Sequence, residues 1–214
     1  MNKTILAVPK GRILNDLKLF FAKIKIFPDP DLFNENTRNL IFKTNIPNLD
    51  IVKVRSFDVA NFVKFGGADF GICGKDVIEE FISNEFFAML NLNIGKCRLA
   101  IAGEVGDVNF KQKDKIRVAT KYVNITQKYF ENLGIQAEII KLNGALEIAT
   151  KLNLCDYIVD LVSTGQTLLN NNMVEIEKIL DVSSFLIVNR TSFKTKNNEV
   201  NFLLKNFEFY DENL

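Results

Sequence analysis

The chain has no histidine and no tryptophan among its 214 residues. Without histidine there is no Ser-His or Cys-His nucleophile pair, no imidazole acid or base, and no His-ligated zinc. Catalysis by this chain must therefore rest on carboxylates, Lys and Arg, hydroxyls, backbone N–H groups or a bound hard metal ion. Cysteine is scarce too. Cys73, Cys97 and Cys155 are odd in number, far apart and set in apolar surroundings, a pattern of reduced, buried thiols in the cytoplasm rather than a disulfide framework. A basic excess is also missing: Lys plus Arg total 27 against 26 Asp plus Glu. That balance argues against a generic nucleic-acid binder. No stretch approaches the roughly 20 apolar residues that span a bilayer. The N-terminal run Ile5–Val8 is shorter than the roughly 7–15 apolar residues of a signal-peptide core. The expectation is a cytoplasmic protein without membrane or nucleic-acid partners.

What is present is an ordinary globular composition, 47% hydrophobic and 25% charged, with nineteen Phe supplying most of the bulky core. Its length suits one large or two small domains. Apolar strand patterns alternate with helix patterns along the whole chain. Strand-like runs lie at 4–8, 40–43, 51–54, 69–73, 98–102, 116–119, 137–142, 157–162 and 185–189. Ile13, Leu14, Leu17, Phe20, Phe21 and Ile24 make one face of a helix. Ser56 is placed to cap another that stops at Gly66 and Gly67, and a last helix is expected over 199–207. Such alternation predicts α/β layers with largely parallel sheets.

The segment Tyr157–Leu168 (YIVDLVSTGQTL) carries the most chemistry. An apolar strand delivers Asp160, then a hydroxyl- and glycine-rich turn opens a helix. Gly165 lets backbone approach a phosphate, while Ser163, Thr164 and Thr167 offer hydroxyl donors. Asp160 can accept from ribose hydroxyls beside that phosphate. The same residues read equally well as an ordinary strand–helix turn with Thr as N-cap and Asp160 as a structural partner. Elsewhere, Lys10 and Arg12 flank Gly11 after the first strand. Arg38 and Arg55 sit on loops, and their guanidinium forks suit phosphate oxygens. Solvated surface charge is the commoner fate of each. Gly71 to Lys75 (GICGK) is neither a P-loop nor a dinucleotide fingerprint, because Asp69 stands where the P-loop glycine would be. A tight turn after a buried strand is its bland reading.

Asp160–Leu168 (DLVSTGQTL) closely resembles the phosphoribosyl-pyrophosphate loop of ATP phosphoribosyltransferases, and Lys141–Glu147 (KLNGALE) resembles the run leading into it. Further blocks resemble that family in the right order: Pro9–Leu14 (PKGRIL), Thr37–Phe42 (TRNLIF), Val54–Val59 (VRSFDV), Gly67–Val77 (GADFGICGKDV), Ile94–Leu99 (IGKCRL), Arg117–Tyr122 (RVATKY) and Asp181–Arg190 (DVSSFLIVNR). The family pattern expects Gly where Asn153 stands. Asn is the next-best residue for a left-handed backbone, so the departure is mild. A small residue is expected at Cys155.

The resemblance implies two α/β domains like those of type II periplasmic binding proteins, with the active site in the interdomain cleft. Residues 1–97 plus 183–214 would form domain I, and 98–182 would form domain II with the phosphoribosyl-pyrophosphate loop. It implies transfer of the phosphoribosyl group from 5-phosphoribosyl 1-pyrophosphate to N1 of ATP, with Mg²⁺, as the first step of histidine biosynthesis. Arg12 and Arg38 would be catalytic. Lys10, Gly11, Arg55, Asp69, Gly71, Gly74, Lys75, Lys121, Glu147, Asp160, Ser163, Thr164, Gly165, Gln166, Thr167 and Leu168 would bind substrate. By resemblance to short forms, whose chains end soon after the last block, the partners expected are a second catalytic chain and a regulatory subunit similar to histidyl-tRNA synthetase. A solute-binding receptor shares the implied fold, and binding without turnover would mark it. A phosphoribosyltransferase using a nucleobase in place of ATP is the other alternative, which a screen of base acceptors would separate.

Overall fold

The computed structural model describes residues 3–211. It divides into two compact units, Met1–Gly95 with Ser183–Leu214, and Lys96–Val182.

The first unit is built on strands β1 (Thr4–Pro9), β2 (Ile41–Lys43), β3 (Leu49–Val54), β4 (Phe70–Gly74), β5 (Phe86–Asn91) and, after the chain returns, β11 (Ser184–Asn189), in the order β2-β3-β1-β4-β11-β5. β1 pairs in parallel with β3 and β4 and is apolar from Ile5 to Pro9, because it is covered on both faces. Helix α1 (Arg12–Lys23) buries Leu14, Leu17, Phe20 and Phe21, the stripe its 3.6-residue period sets out. Each fully buried side chain of this size stabilises by roughly 1.5–3 kcal/mol. Helix α2 (Ser56–Lys64) lays Val59, Ala60 and Val63 on the other face. Ser56 is its first helical residue rather than its cap; Arg55 holds the cap position and no side chain caps the turn. Helix α3 (Lys75–Phe81) follows β4 directly. The terminal segment holds two helices, α7 (Arg190–Thr195) and α8 (Asn197–Asp211), where the sequence suggested one.

The second unit holds β6 (Cys97–Glu104), β7 (Lys115–Thr120), β8 (Gln136–Lys141), β9 (Tyr157–Val162) and β10 (Met173–Val182), in the order β10-β6-β9-β7-β8. Helices α4 (Val123–Asn132), α5 (Leu146–Lys151) and α6 (Gln166–Asn170) connect them. β7, β8 and β9 are mutually parallel, with β7 central.

Both sheets are mixed rather than largely parallel. β11 enters the first sheet antiparallel to β4 and β5, and β6 enters the second antiparallel to β9 and β10. β11 and β6 therefore each start at the end of their own sheet where the parallel strands finish. β5 and β10 have no counterpart in the periodicity reading. β10 carries two register shifts, which break the strict alternation that would reveal it. All three cysteines are free thiols; Cys97 is only partly buried, unlike Cys73 and Cys155.

Candidate functional site

In the second unit, the parallel strands β7, β8 and β9 deliver their loops to one end of the sheet, the end where α/β sheets bind ligands. Lys121 follows β7, residues 142–145 follow β8, and Ser163–Gly165 follow β9. Lys121 Nζ lies 3.9 Å from Asp160 Oδ1, and both side chains are about one-third exposed. Ser163, Thr164, Gln166 and Thr167 are exposed. Gly165 has φ 80°, ψ −2° and stands as the residue before α6, a left-handed conformation that favours glycine. Thr164 Oγ1 accepts from the Gln166 N–H at 3.4 Å, and the Gln166 amide is turned along α6 to donate to Asn170 Oδ1 at 2.8 Å. Leu168 faces inward at 6% exposure and packs with Ala102, Ala149, Val162 and Met173. Its side chain anchors the loop instead of meeting solvent, because an apolar group there is better placed in the core. Glu147 lies in the first turn of α5, which Ala145 opens at φ 53°. An L side chain held there costs roughly 1–2 kcal/mol, so the turn before Glu147 is strained. Asn153, at φ 55°, also takes the left-handed conformation.

Two residues that the sequence did not single out support this loop. Arg98, the second residue of β6, lies opposite Val162. Its Nη1 donates to the Ser163 carbonyl at 3.2 Å, while its Nε and Nη2 donate to Glu175 Oε1 and Oε2 at 2.6 and 2.5 Å. That bidentate pair holds the guanidinium above its ordinary pKa, chiefly through the hydrogen bonds to Glu175. Glu175 lies 77 positions away on the register-shifted part of β10, so no local pattern could have marked it.

In the first unit, the parallel strands β1, β3 and β4 likewise finish together. Lys10, Gly11 and Arg12 follow β1, Arg55 follows β3, and Gly74 and Lys75 follow or close β4. The Lys10 N–H donates to the Val54 carbonyl at 2.8 Å, tying the first two of these ends. Gly11 takes φ 88° with nothing within 4 Å of where a Cβ would stand. Arg12 is exposed, its Nη2 reaching the Gly95 carbonyl at 3.5 Å. The Lys75 N–H donates to the Ser183 carbonyl at 2.9 Å. Arg38 is exposed on the loop into β2, which runs antiparallel to β3 and so begins beside the end of that strand.

That loop is held by two charged groups. Lys53 is 5% exposed, and its Nζ donates to the carbonyls of Leu32 at 2.8 Å and Asn34 at 3.1 Å. Burial, with a smaller contribution from Lys10, holds its pKa below the usual lysine range. Asp31 accepts from Thr37 Oγ1 and from the side-chain amides of Asn34 and Asn39.

Asp69 and Gly71, expected among the substrate ligands, have other tasks. Asp69 precedes β4 and so stands at its opposite end from Gly74, roughly 16 Å away at 3.3 Å per residue. Its carboxylate accepts from the Ile5 N–H at 2.9 Å, Ser192 Oγ at 2.6 Å and Lys196 Nζ at 2.8 Å. It ties β1, β4 and the terminal helices together. Gly71 lies mid-strand under α2, where an added Cβ would fall 2.7 Å from both Val59 Cγ1 and Val63 Cγ2 and 3.2 Å from Ile187 Cγ1. It is a packing glycine.

Comparison with known proteins gives the family of the chain. The family model described as HisG: ATP phosphoribosyltransferase matches residues 55–208. An ATP phosphoribosyltransferase of Rhizorhabdus wittichii is 49% identical over 207 residues, covering 95% of this chain and 93% of that protein. The enzyme of that name from Rhodospirillum rubrum is 47% identical over 212 residues, covering 96% and 92%. Among solved structures, the ATP phosphoribosyl transferase (HisG:HisZ) complex from Thermotoga maritima matches with a TM-score of 0.81 at 29% identity, covering 99% of this chain and 100% of that one. The periplasmic aliphatic sulphonate binding protein SsuA from Escherichia coli matches with a TM-score of 0.62 at 12% identity, covering 99% and 69%. That last likeness is one of fold, of the periplasmic-binding-protein kind. The chain belongs to the ATP phosphoribosyltransferase family, the enzymes that transfer a phosphoribosyl group from 5-phosphoribosyl 1-pyrophosphate to N1 of ATP in the first step of histidine biosynthesis.

Proposed function

We propose that the loop Ser163–Leu168 binds the ribose 5-phosphate of phosphoribosyl pyrophosphate, and that Arg12 and Arg38 stabilise the departing pyrophosphate. The observation that carries the first assignment is the loop itself. It is an exposed run of hydroxyls around a left-handed glycine, closing the middle strand of the second sheet. Gly165 presents backbone N–H groups to the phosphate, and Ser163, Thr164 and Thr167 add hydroxyl donors. Asp160 accepts from the ribose hydroxyls, with Lys121 beside it. Lys10, Gly11, Arg55, Gly74 and Lys75 supply the remaining donors for phosphate oxygens at the strand ends of the first unit.

The reaction suits a chain without histidine. Adenine N1 already carries a lone pair, so no strong general base is needed. The difficulty is charge: pyrophosphate leaves while the ribose becomes oxocarbenium-like. Preorganised guanidinium groups aimed at the leaving oxygens meet that need. Mg²⁺ bound by substrate phosphates would neutralise the same charge and requires only one or two protein carboxylates. Among the described residues no group of three or more metal-ligating side chains could hold a metal by itself; Asp160 is a carboxylate of the kind a substrate-borne ion would use.

The solved relative from Thermotoga maritima is a HisG:HisZ complex, which supports a regulatory partner for this chain as well. Histidine inhibition would then require that partner, because coupling needs a second site. Cytoplasmic residence and a dimer of catalytic chains complete the reading. Isothermal titration of Gly165→Val tests the loop: phosphoribosyl-pyrophosphate binding falls sharply while ATP binding suffers less. A folded variant with unchanged affinity for phosphoribosyl pyrophosphate removes the loop from the site.

A further inference from the structure

We infer that Asp31 is a positioning residue for Arg38, setting where that guanidinium stands through a carboxylate that ties down the chain on both sides of it. The inference rests on the assignment of Arg38 to the departing pyrophosphate. Thr37 Oγ1 donates to Asp31 Oδ2 from one side of Arg38, and Asn39 Nδ2 donates to the same oxygen at 3.2 Å from the other. Asn34 Nδ2 donates to Asp31 Oδ1 at 2.9 Å, closing the near side of the loop. The Thr37 hydroxyl also accepts from the Asn39 N–H at 3.2 Å, bridging directly beneath Arg38.

Asp31 is itself fixed. It lies in the helical turn 30–33 with its N–H donating to Asp29 Oδ1 at 3.0 Å, and Lys53 grips the carbonyls of Leu32 and Asn34 from below. The loop therefore has a rigid base and one anionic hub, with Arg38 held between two ligands of that hub. The Thr37 and Asn34 bonds hold the Asp31 carboxyl below the usual carboxylate range, which favours the charged acceptor. Hydrogen bonds to a charged acceptor are roughly twice as strong as neutral ones. A neutral or shorter side chain at 31 leaves residues 37–39 without their common anchor, while the apolar packing of Leu32 and Phe33 stays in place. The part of this stretch that serves the core is Leu32 with Phe33, which the substitution leaves alone, so the effect falls on Arg38.

The test is a kinetic double-mutant cycle on the intact chain, assayed with ATP, Mg²⁺ and phosphoribosyl pyrophosphate. Misplacing a reacting group by about 1 Å costs on the order of 10²-fold. Asp31→Ala should therefore lower kcat by about 10–10²-fold with KM for phosphoribosyl pyrophosphate changed much less, and with a thermal midpoint close to the parent's. Thr37→Val, which removes one donor only, gives a smaller loss in the same direction. In an Arg38→Ala background the Asp31 substitution should change kcat by no more than about twofold, because its route is already cut. Full kcat in a folded Asp31→Ala chain overturns the inference while leaving Arg38 in place. An equal loss in both backgrounds overturns it too, by showing that Asp31 acts without Arg38. Normal turnover in Arg38→Ala itself brings down the assignment on which it rests.

Discussion

Gly71 and Gly165 are glycines for different reasons, and one substitution at each separates them. At Gly71 the limit is space. An alanine methyl would lie 2.7 Å from two valine carbons on α2 and 3.2 Å from an isoleucine carbon on β11, against an optimum of roughly 3.5–4.0 Å. β4 is hydrogen-bonded on both sides, to β1 and β11, so it cannot give way. α2 would have to lift by close to 1 Å, loosening the packing of Val59, Ala60 and Val63. Overpacking of this kind costs about 1–3 kcal/mol. At Gly165 the nearest atom is 3.9 Å away, so space is ample and the limit is φ 80°. Alanine held there would cost roughly 1–2 kcal/mol, most of which the loop escapes by rearranging into open space. Urea unfolding should therefore show Gly71→Ala clearly destabilised, and titration should show its folded fraction binding phosphoribosyl pyrophosphate as the parent does. Gly165→Ala should show the reverse emphasis, weak binding with a small change in midpoint. A Gly71→Ala chain within about 0.5 kcal/mol of the parent but impaired in substrate binding would refute the packing argument and return Gly71 to the site.

Three further outcomes follow from the same geometry. Arg12→Ala and Arg38→Ala should each lower kcat by about 10²–10³, more than they raise KM; normal turnover with weaker ATP binding would assign that arginine to ground-state recognition instead. Glu175→Gln leaves Arg98 without its bidentate partner and should weaken phosphoribosyl-pyrophosphate binding through the Ser163 carbonyl; calorimetry showing parental affinity would dismiss the pair as merely structural. At Asp156, burial pushes the carboxyl up, but the side-chain and backbone hydrogen bonds from Arg117 outweigh it and hold the pKa low. A carboxyl depressed in the fold stabilises above its unfolded value near pH 4 and loses that contribution as pH falls through the folded value. Stability measured by urea midpoint should drop below about pH 4, less steeply in Asp156→Asn; identical slopes would show that the Arg117 contact contributes nothing.

The absence of histidine, the alternation of strand and helix, and the run from Asp160 to Leu168 were all legible in the sequence, because each is local: a residue type, a period, a spacing. The family pattern, which expects Gly where Asn153 stands, pointed to a left-handed backbone there, and Asn153 adopts it; Gly165, singled out for letting backbone approach a phosphate, is left-handed too. Asp69 was not legible. Its neighbours in sequence tie it to Gly71 and Lys75, but its partners Ile5, Ser192 and Lys196 come from far along the chain. Gly71 looked like a ligand-loop glycine until α2 was laid over it. The antiparallel entry of β6 and β11, the bulged β10 and the Arg98–Glu175 pair depend on which strand lies beside which. Strand pairing joins residues distant in sequence through backbone groups that every residue shares, so no local pattern records it. The same holds for Asp31, an unremarked acid in a proline-rich turn. It became a hub only when residues 37–39 folded back over it.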